Sequence, residues 1–390
     1  MFGHLRFVAA CAAVAGLVAV SATTATATAT AAGNPRPATH HNPGLQQELE
    51  ALVHEPGGPP GVIVTLKSHN ALSVYRAGVA DLATGRLPGQ YDAMRIASVS
   101  KAYSGAVALT LAARGVLGLD DTIARWLPTL PAAWGRVTLR ELLQHTSGLP
   151  DYSAEPAFHA VLIADPHHVF APSQLLSFAA AQPLRFPPGT QYQYSNSDNI
   201  AVALMTAAAT GRTYEQLLNA LLYTRLGLYR TSLPKGYKMP PFYMHGYGVR
   251  DGVLKDVSTE YSASASWASG GIVSTPRELN TFIAAYAGPR LLPESVRQAQ
   301  LTFIAGSSEP PGPGTNAAGL GIFSYSTRCG VVYGHTGNTS GYTQFTAASP
   351  DGTHSMTFSV NAQITPNSDQ TLFDQMRKVE EDAVCALLSR

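Results

Sequence analysis

The sequence predicts an α+β fold in which an antiparallel sheet, flanked by terminal helices, carries an inserted and mainly helical lobe. Three observations predict it. Strand-like alternation occurs near both ends, at residues 61–66 and 71–79 and again at 331–333, 342–348 and 354–361. Between them, from Ser98 to about Gly271, apolar residues recur mainly at helical spacing. A final amphipathic segment, 369–388, closes the chain. Strands from the two ends then pair into one sheet, and the middle of the chain becomes the insertion.

In chain order, residues 45–53 carry helical spacing, and the strands 61–66 and 71–79 meet at a turn at His69-Asn70. Helices are expected over 106–113, 139–143, 173–180, 200–209 and 277–286, the last with Pro276 suited to its first turn. Residues 309–314, rich in Pro and Gly, read as a loop, and Asp351-Gly352 as a hairpin turn. The expected domain is 45–390, with a sheet lobe at about 45–97 and 275–390 and a helical lobe at about 98–274. No internal repeat is apparent. The 390 residues suit one two-lobed domain, and 45% apolar with 13% charged residues is a globular balance. A formal net charge of +1 without basic clusters offers no footprint for nucleic acid.

The N-terminus reads as a signal peptide over 1–32, followed by a flexible leader at 33–44. His4 and Arg6 precede an apolar core from Phe7 to Val20, then small residues with cleavage candidates such as Ala29-Thr30-Ala31. That core of about 14 residues is short of the roughly 20 that span a bilayer. Cys11 opens the core instead of following it, which argues against lipidation. The expected destination is extracellular, with the peptide cleaved. Cys329 and Cys385 then remain. In an exported chain an isolated pair reads as a disulfide, closing a loop of about 56 residues worth nominally about 4 kcal/mol. Two buried free thiols are the alternative.

Ser98-Val99-Ser100-Lys101 is the first candidate for chemistry. If a helix starts near Ser98, its hydroxyl and the Lys101 amine share one face, and the helix terminus favours negative charge on oxygen. A desolvated lysine there has a lowered pKa and can take the serine proton. Ser98 alone reads equally as a helix cap. A second Ser-x-x-Lys, Ser232 to Lys235, contains Pro234 and has no apolar helix behind it. The second candidate is Tyr194-Ser195-Asn196, where a phenol can relay a leaving-group proton and an amide can orient a substrate. The third is His335-Thr336-Gly337. Gly337 would let a substrate backbone lie against a strand, and the N–H groups of Asn338 and Ser98 could form an oxyanion hole. No His, Cys or carboxylate near His335 has metal spacing, so no metal is expected. Trp267 and Phe158 are candidate cleft walls or core aromatics.

Taken in order, Ser-x-x-Lys, Tyr-x-Asn and His-Thr-Gly resemble the serine β-lactamase and penicillin-binding protein superfamily, particularly class C enzymes and secreted actinomycete D-alanyl-D-alanine carboxypeptidases. Residues 95–101, 142–150, 188–196 and 270–275 resemble it too, and the likeness spans about 45–390. It implies the β-lactamase/transpeptidase fold and an acyl-enzyme on Ser98, with Lys101 as proton acceptor and Tyr194 as proton relay. It also implies that Asn196 holds the substrate amide and that His335 supports the proton network, with Thr336, Gly337 and Asn338 on the substrate. Cys329 and Cys385 resemble the ending of the carboxypeptidases. No cofactor is implied. Expected partners are small peptide, ester or β-lactam substrates, including peptidoglycan stem peptides, with the protein a monomer.

Two positions depart from the resemblance. Phe323 aligns where the carboxypeptidases carry an arginine for the substrate carboxylate, and Asn338 where they carry a threonine; Arg328 lies at the wrong offset. A cell-wall D-alanyl-D-alanine carboxypeptidase or transpeptidase is therefore expected alongside an esterase, amidase or β-lactamase on the same machinery. A non-catalytic penicillin-binding-like protein is the third alternative.

Overall fold

The computed structural model describes residues 42–69 and 71–390. The expected signal peptide and all but the end of the leader lie outside the described residues, as does Asn70 of the expected turn. Helix α1, Pro43–His54, starts where the Asn42 side chain accepts from the Leu45 N–H and buries Leu45, Leu49 and Leu52 on one stripe. Strands β1, Gly61–Ser68, and β2, Ala71–Gly78, follow. Helix α2, Ser100–Ala113, enters the inserted lobe, whose second central helix is α3, Asn196–Thr210. Asn199 of α3 donates to Ser104 of α2 at 2.7 Å, pinning the two together. Thr275 caps α4, Pro276–Ala287, with Pro276 in the first turn as expected.

The chain then returns to the sheet through β3, Ile304–Ala305, β4, Thr315–Ala318, and β5, Phe323–Thr327. Strands β6, Gly330–Thr339, β7, Tyr342–Ala348, and β8, His354–Val360, complete it, and α5, Gln370–Leu388, ends the chain. The eight strands lie in the order β2-β1-β8-β7-β6-β5-β4-β3, all antiparallel. The two ends of the chain meet at β1 and β8, in register Val62↔Val360 through Ser68↔His354. The Gly61 N–H also reaches Asn361 Oδ1 at 2.6 Å across 300 residues. Between β7 and β8, Gly352 takes φ +72°, the left-handed turn its sequence predicts.

Helices α1 and α5 share one core with the sheet, around Leu49, Phe358 and Val384. Helix α4 joins the inserted lobe in another, around Phe282, Leu109 and Val202. The lobe also contains a hairpin that periodicity did not predict, Tyr247–Arg250 paired with Val253–Asp256. The second strand is fully exposed, so no buried face imposes alternation on it. Cys329, in the β5–β6 turn, faces Cys385 on α5 with Cα atoms 5.1 Å apart, inside the span a disulfide bridges.

Glu380 of α5 is buried, and its Oε2 has no hydrogen-bond partner. Burial pushes its carboxyl from 4.5 up to about 8, against the opposing charge of Arg377. Between these values the folded chain holds a proton that the unfolded chain has lost. The contribution is therefore full below about pH 4.5 and is lost as pH rises towards 8. Glu380→Gln is expected to flatten that decline, so thermal melts at pH 5 and pH 8.5 should differ less in the variant than in the wild type.

Candidate active site

The site forms where α2 begins. Met94–Arg95 pairs with Val273–Ser274, which fixes the approach to a single turn of 3₁₀ helix, Ala97–Val99, and α2 follows directly. Ala97 sits at φ +48°, a left-handed conformation unfavourable for alanine. Strand β6 lies against this turn. A Cβ on Gly337 would stand 2.3 Å from the Ile96 carbonyl oxygen and 3.2 Å from the Ser98 nitrogen. Gly337 was expected to make room for a substrate backbone. It instead makes room for the turn that presents Ser98, since the space its side chain would take is filled by the Ile96 carbonyl.

Lys101 is one helical turn beyond Ser98 and buried. Its Nζ donates to Ser98 Oγ at 2.9 Å, to Asn196 Oδ1 at 2.7 Å and to the Ser269 carbonyl at 2.8 Å. Burial lowers its pKa from 10.5 to about 7, although the charges of Asp151 and Glu309 pull it back up. The neutral amine has two N–H bonds and a lone pair. The Asn196 and Ser269 oxygens can only accept, so they keep the two N–H bonds and the lone pair is left to Ser98. That is the arrangement a general base requires.

Tyr194 is buried, its ring centroid 4.8 Å from Lys101 Nζ. Its hydroxyl faces Ser98 without a formed hydrogen bond, and burial holds the phenol well above its ordinary pKa. Asn196, at the first turn of α3, is committed on both sides. While Oδ1 accepts a hydrogen bond from Lys101 Nζ, Nδ2 donates to Asp151 Oδ2 at 2.9 Å and to Ser153 Oγ at 3.0 Å. Its expected contact with a substrate amide is therefore already occupied by Asp151, and Asn196 acts as an anchor for Lys101.

Beneath Tyr194 lies a buried pair that sequence reasoning missed. His145 tilts against the Tyr194 ring at 4.5 Å, and its Nδ1 is 2.7 Å from Asp198 Oδ2. Burial raises Asp198 well above the carboxylate range and lowers His145 to about 3. The pair is thus neutral, with the Asp198 carboxyl donating to Nδ1 and Ser147 donating to the other carboxyl oxygen at 2.5 Å. His145 and Ser147 stand inside the 142–150 stretch and Asp151 just after it. That stretch was the one available signal.

His335 is buried and neutral, its pKa lowered to about 3 by desolvation and the Lys101 charge. Its Nδ1 bonds its neighbour's backbone, Thr336 O, at 2.6 Å, and no hydrogen bond joins it to Ser98, Lys101 or Tyr194. It packs edge-on to Phe323 at 5.0 Å and does not enter the proton network directly. The Thr336 hydroxyl is spent on the Pro310 carbonyl at 2.6 Å, so it holds a loop rather than a substrate. The Asn338 amide donates to Thr343 Oγ1 and Ile364 O and accepts from Gln363. Both of its side-chain N–H groups are thus spent, leaving its backbone and one lone pair of Oδ1 for a ligand.

Ser98, Tyr194 and Asn338 line a cavity of about 720 Å³, together with Phe158, Tyr261 and Glu309. Phe158 is therefore a wall, whereas Trp267 is buried with its indole N–H on Glu215. Phe323 is buried between His145 and His335 and does not line the cavity.

Because Lys101 must be neutral to accept a proton, kcat/KM should rise with pH through about 7 and then level. Lys101→Ala should abolish that limb along with acylation. Gly337→Ala forces its Cβ into the Ile96 carbonyl and displaces Ser98. A loss of about 100-fold in kcat/KM is expected, from misplacing the nucleophile by about an ångström. A thermal melt alongside separates this from global unfolding.

Known proteins place these features in a family. The Beta-lactamase family model matches residues 46–381. Esterase EstB of Burkholderia gladioli is 29% identical over 322 residues, 71% of this chain and 81% of the esterase. A D-aminopeptidase of Brucella anthropi is 35% identical over 191 residues, 47% of this chain but only 35% of that enzyme. The crystal structure of a D-stereospecific amidohydrolase from Streptomyces superposes with a TM-score of 0.75 at 30% identity, covering 86% of this chain and 98% of that one. The chain has the β-lactamase/transpeptidase fold and belongs to the Beta-lactamase family of serine hydrolases.

Proposed function

We propose that the chain is an exported hydrolase of small amides or esters whose leaving group carries no carboxylate. One observation carries this reading. The two positions expected to clamp a terminal carboxylate do not offer a free cation: Phe323 is apolar and buried away from the cavity, and the Asn338 amide is tied to Thr343, Ile364 and Gln363. The arginines that line the cavity, Arg95 and Arg250, are engaged by backbone carbonyls and by Glu260. Without a charge-assisted clamp, a free carboxylate entering that wall loses water and gains no partner. Peptidoglycan stem peptides and other substrates of D-alanyl-D-alanine carboxypeptidases end in such a group, which argues against that activity here. The names of the relatives, an esterase, an amidohydrolase and a D-aminopeptidase, support the same direction.

In this reading Lys101 takes the Ser98 proton as Oγ bonds to the substrate carbonyl carbon. The resulting oxyanion is met by the N–H groups of Ser98 and Asn338. Tyr194 passes the proton from Lys101 to the departing nitrogen or oxygen, the C–N or C–O bond breaks, and an acyl ester on Ser98 remains. Water, deprotonated by the same groups, then releases the acid. All of these groups come from one chain, so a monomer suffices. Export and a Cys329–Cys385 disulfide belong to the same proposal, supported by the N-terminal pattern and by the 5.1 Å Cα separation.

The test compares the mature protein with Ser98→Ala on p-nitrophenyl esters, on penicillin and on a Lys-D-Ala-D-Ala peptide. Expected are ester turnover and an acyl adduct by intact mass in the wild type alone, with little D-alanine released. Release of D-alanine at a rate matching ester turnover would instead establish the carboxypeptidase. Failure of every ester and of penicillin to acylate Ser98 would leave a non-catalytic binding protein.

A further inference from the structure

Glu309 is the acidic side chain lining the catalytic cavity, and among the described residues it makes no hydrogen bond or ion pair. The other charged groups of the cavity are already engaged. Arg95 gives Nε to the Ser258 carbonyl and Nη2 to those of Tyr237 and Tyr261, and Arg250 pairs with Glu260. Asp151, near by, is held by Asn196 and Ser153.

The loop bearing Glu309 is fastened from several sides. The Tyr192 hydroxyl donates to the Ser307 carbonyl. Ser308 Oγ lies 2.8 Å from the Tyr325 hydroxyl. Thr336 Oγ1 donates to the Pro310 carbonyl at 2.6 Å, and Arg377 to that of Pro311 at 2.8 Å. A surface glutamate on an untethered loop would swing into water. Glu309 is also exposed, but the backbone on both sides of it is fixed, which keeps its unpaired carboxylate at the cavity it lines.

Resting on the hydrolase reading of Ser98 above, we propose that Glu309 is a binding residue for a substrate ammonium group, making the substrates amine-bearing amides or esters. The position has a further consequence for the base. Lys101 is faced by Asp151 and Asp198 from the inserted lobe, by His145, His335 and Tyr194 around it, and by Glu309 from the loop. The Glu309 charge holds the Lys101 proton on, which opposes the work of a base. A bound ammonium cancels that charge, so an amine-bearing substrate readies the base that attacks it, whereas a neutral substrate does not.

Two matched pairs test this. Phenylalanine p-nitroanilide and its N-acetyl derivative vary the ammonium on the acyl half. The 2-aminoethyl and ethyl esters of N-acetylphenylalanine vary it on the leaving half. The wild type should favour the ammonium member of one pair by at least about tenfold in kcat/KM, the scale of one charge-assisted hydrogen bond. Glu309→Gln should bring that ratio close to one and move the acid limb for the neutral substrate to lower pH. A loss of folding alone would give neither change together. Glu309→Lys should reverse the preference. Turnover without preference in the wild type, or a preference that survives Glu309→Gln, overturns the ammonium site while leaving the hydrolase intact. No turnover of any of the four substrates, or of activated esters, overturns both.

Discussion

The arrangement around the Lys101 amine is the constraint on which the rest depends. An amine buried here loses most of its affinity for a proton, and what remains useful is the direction of its lone pair. Two carbonyl-type oxygens set that direction, one from Asn196 at the start of α3 and one from Ser269. Ser98 occupies the third position because its own turn is wedged between α2 and β6. Three distant parts of the chain must therefore agree in position before the amine becomes a base. The two cores on either side of the sheet supply that agreement.

Behind this arrangement the fold uses neutral polar groups instead of compensating ions. Asp198 and His145 could each carry charge, but burial makes the uncharged hydrogen-bonded pair the stable form. This supports Tyr194 without placing a full anion next to Lys101. The charges that remain near the amine, on Asp151 and Glu309, lie towards the cavity, where a ligand can answer them.

Much of this was legible in the sequence because it rests on short-range spacing. Ser98 and Lys101 share a helix face, and Tyr194 and Asn196 bracket a helix start. Five of the eight sheet strands followed from alternation, whereas β3, β4 and β5 are too short to show it, and the α4 start followed from Thr275 and Pro276. What was illegible depends on side chains that meet across the fold. Asp151 meets Asn196, and His145 meets Asp198, through distances no local pattern encodes. Thr336 and Gly337 illustrate the converse. Their motif was visible, yet the hydroxyl serves a loop and the missing Cβ serves the nucleophile's turn. The 247–256 hairpin escaped because Val253–Asp256 has no buried face to write a period into the sequence.

The pairing of β1 with β8 also sets when the molecule can exist. Gly61 and Asn361 are 300 residues apart, yet β1 lies inside the sheet, between β2 and β8. A chain still emerging from the ribosome has β1 and β2 but lacks the strand that covers the other edge of β1 until β8 is made. Such a non-local sheet folds late and slowly. The nucleophile's turn, which needs β6 against it, waits for nearly as long. Synthesis therefore yields an inactive chain first, and activity begins only once β6 and β8 have both been made and paired.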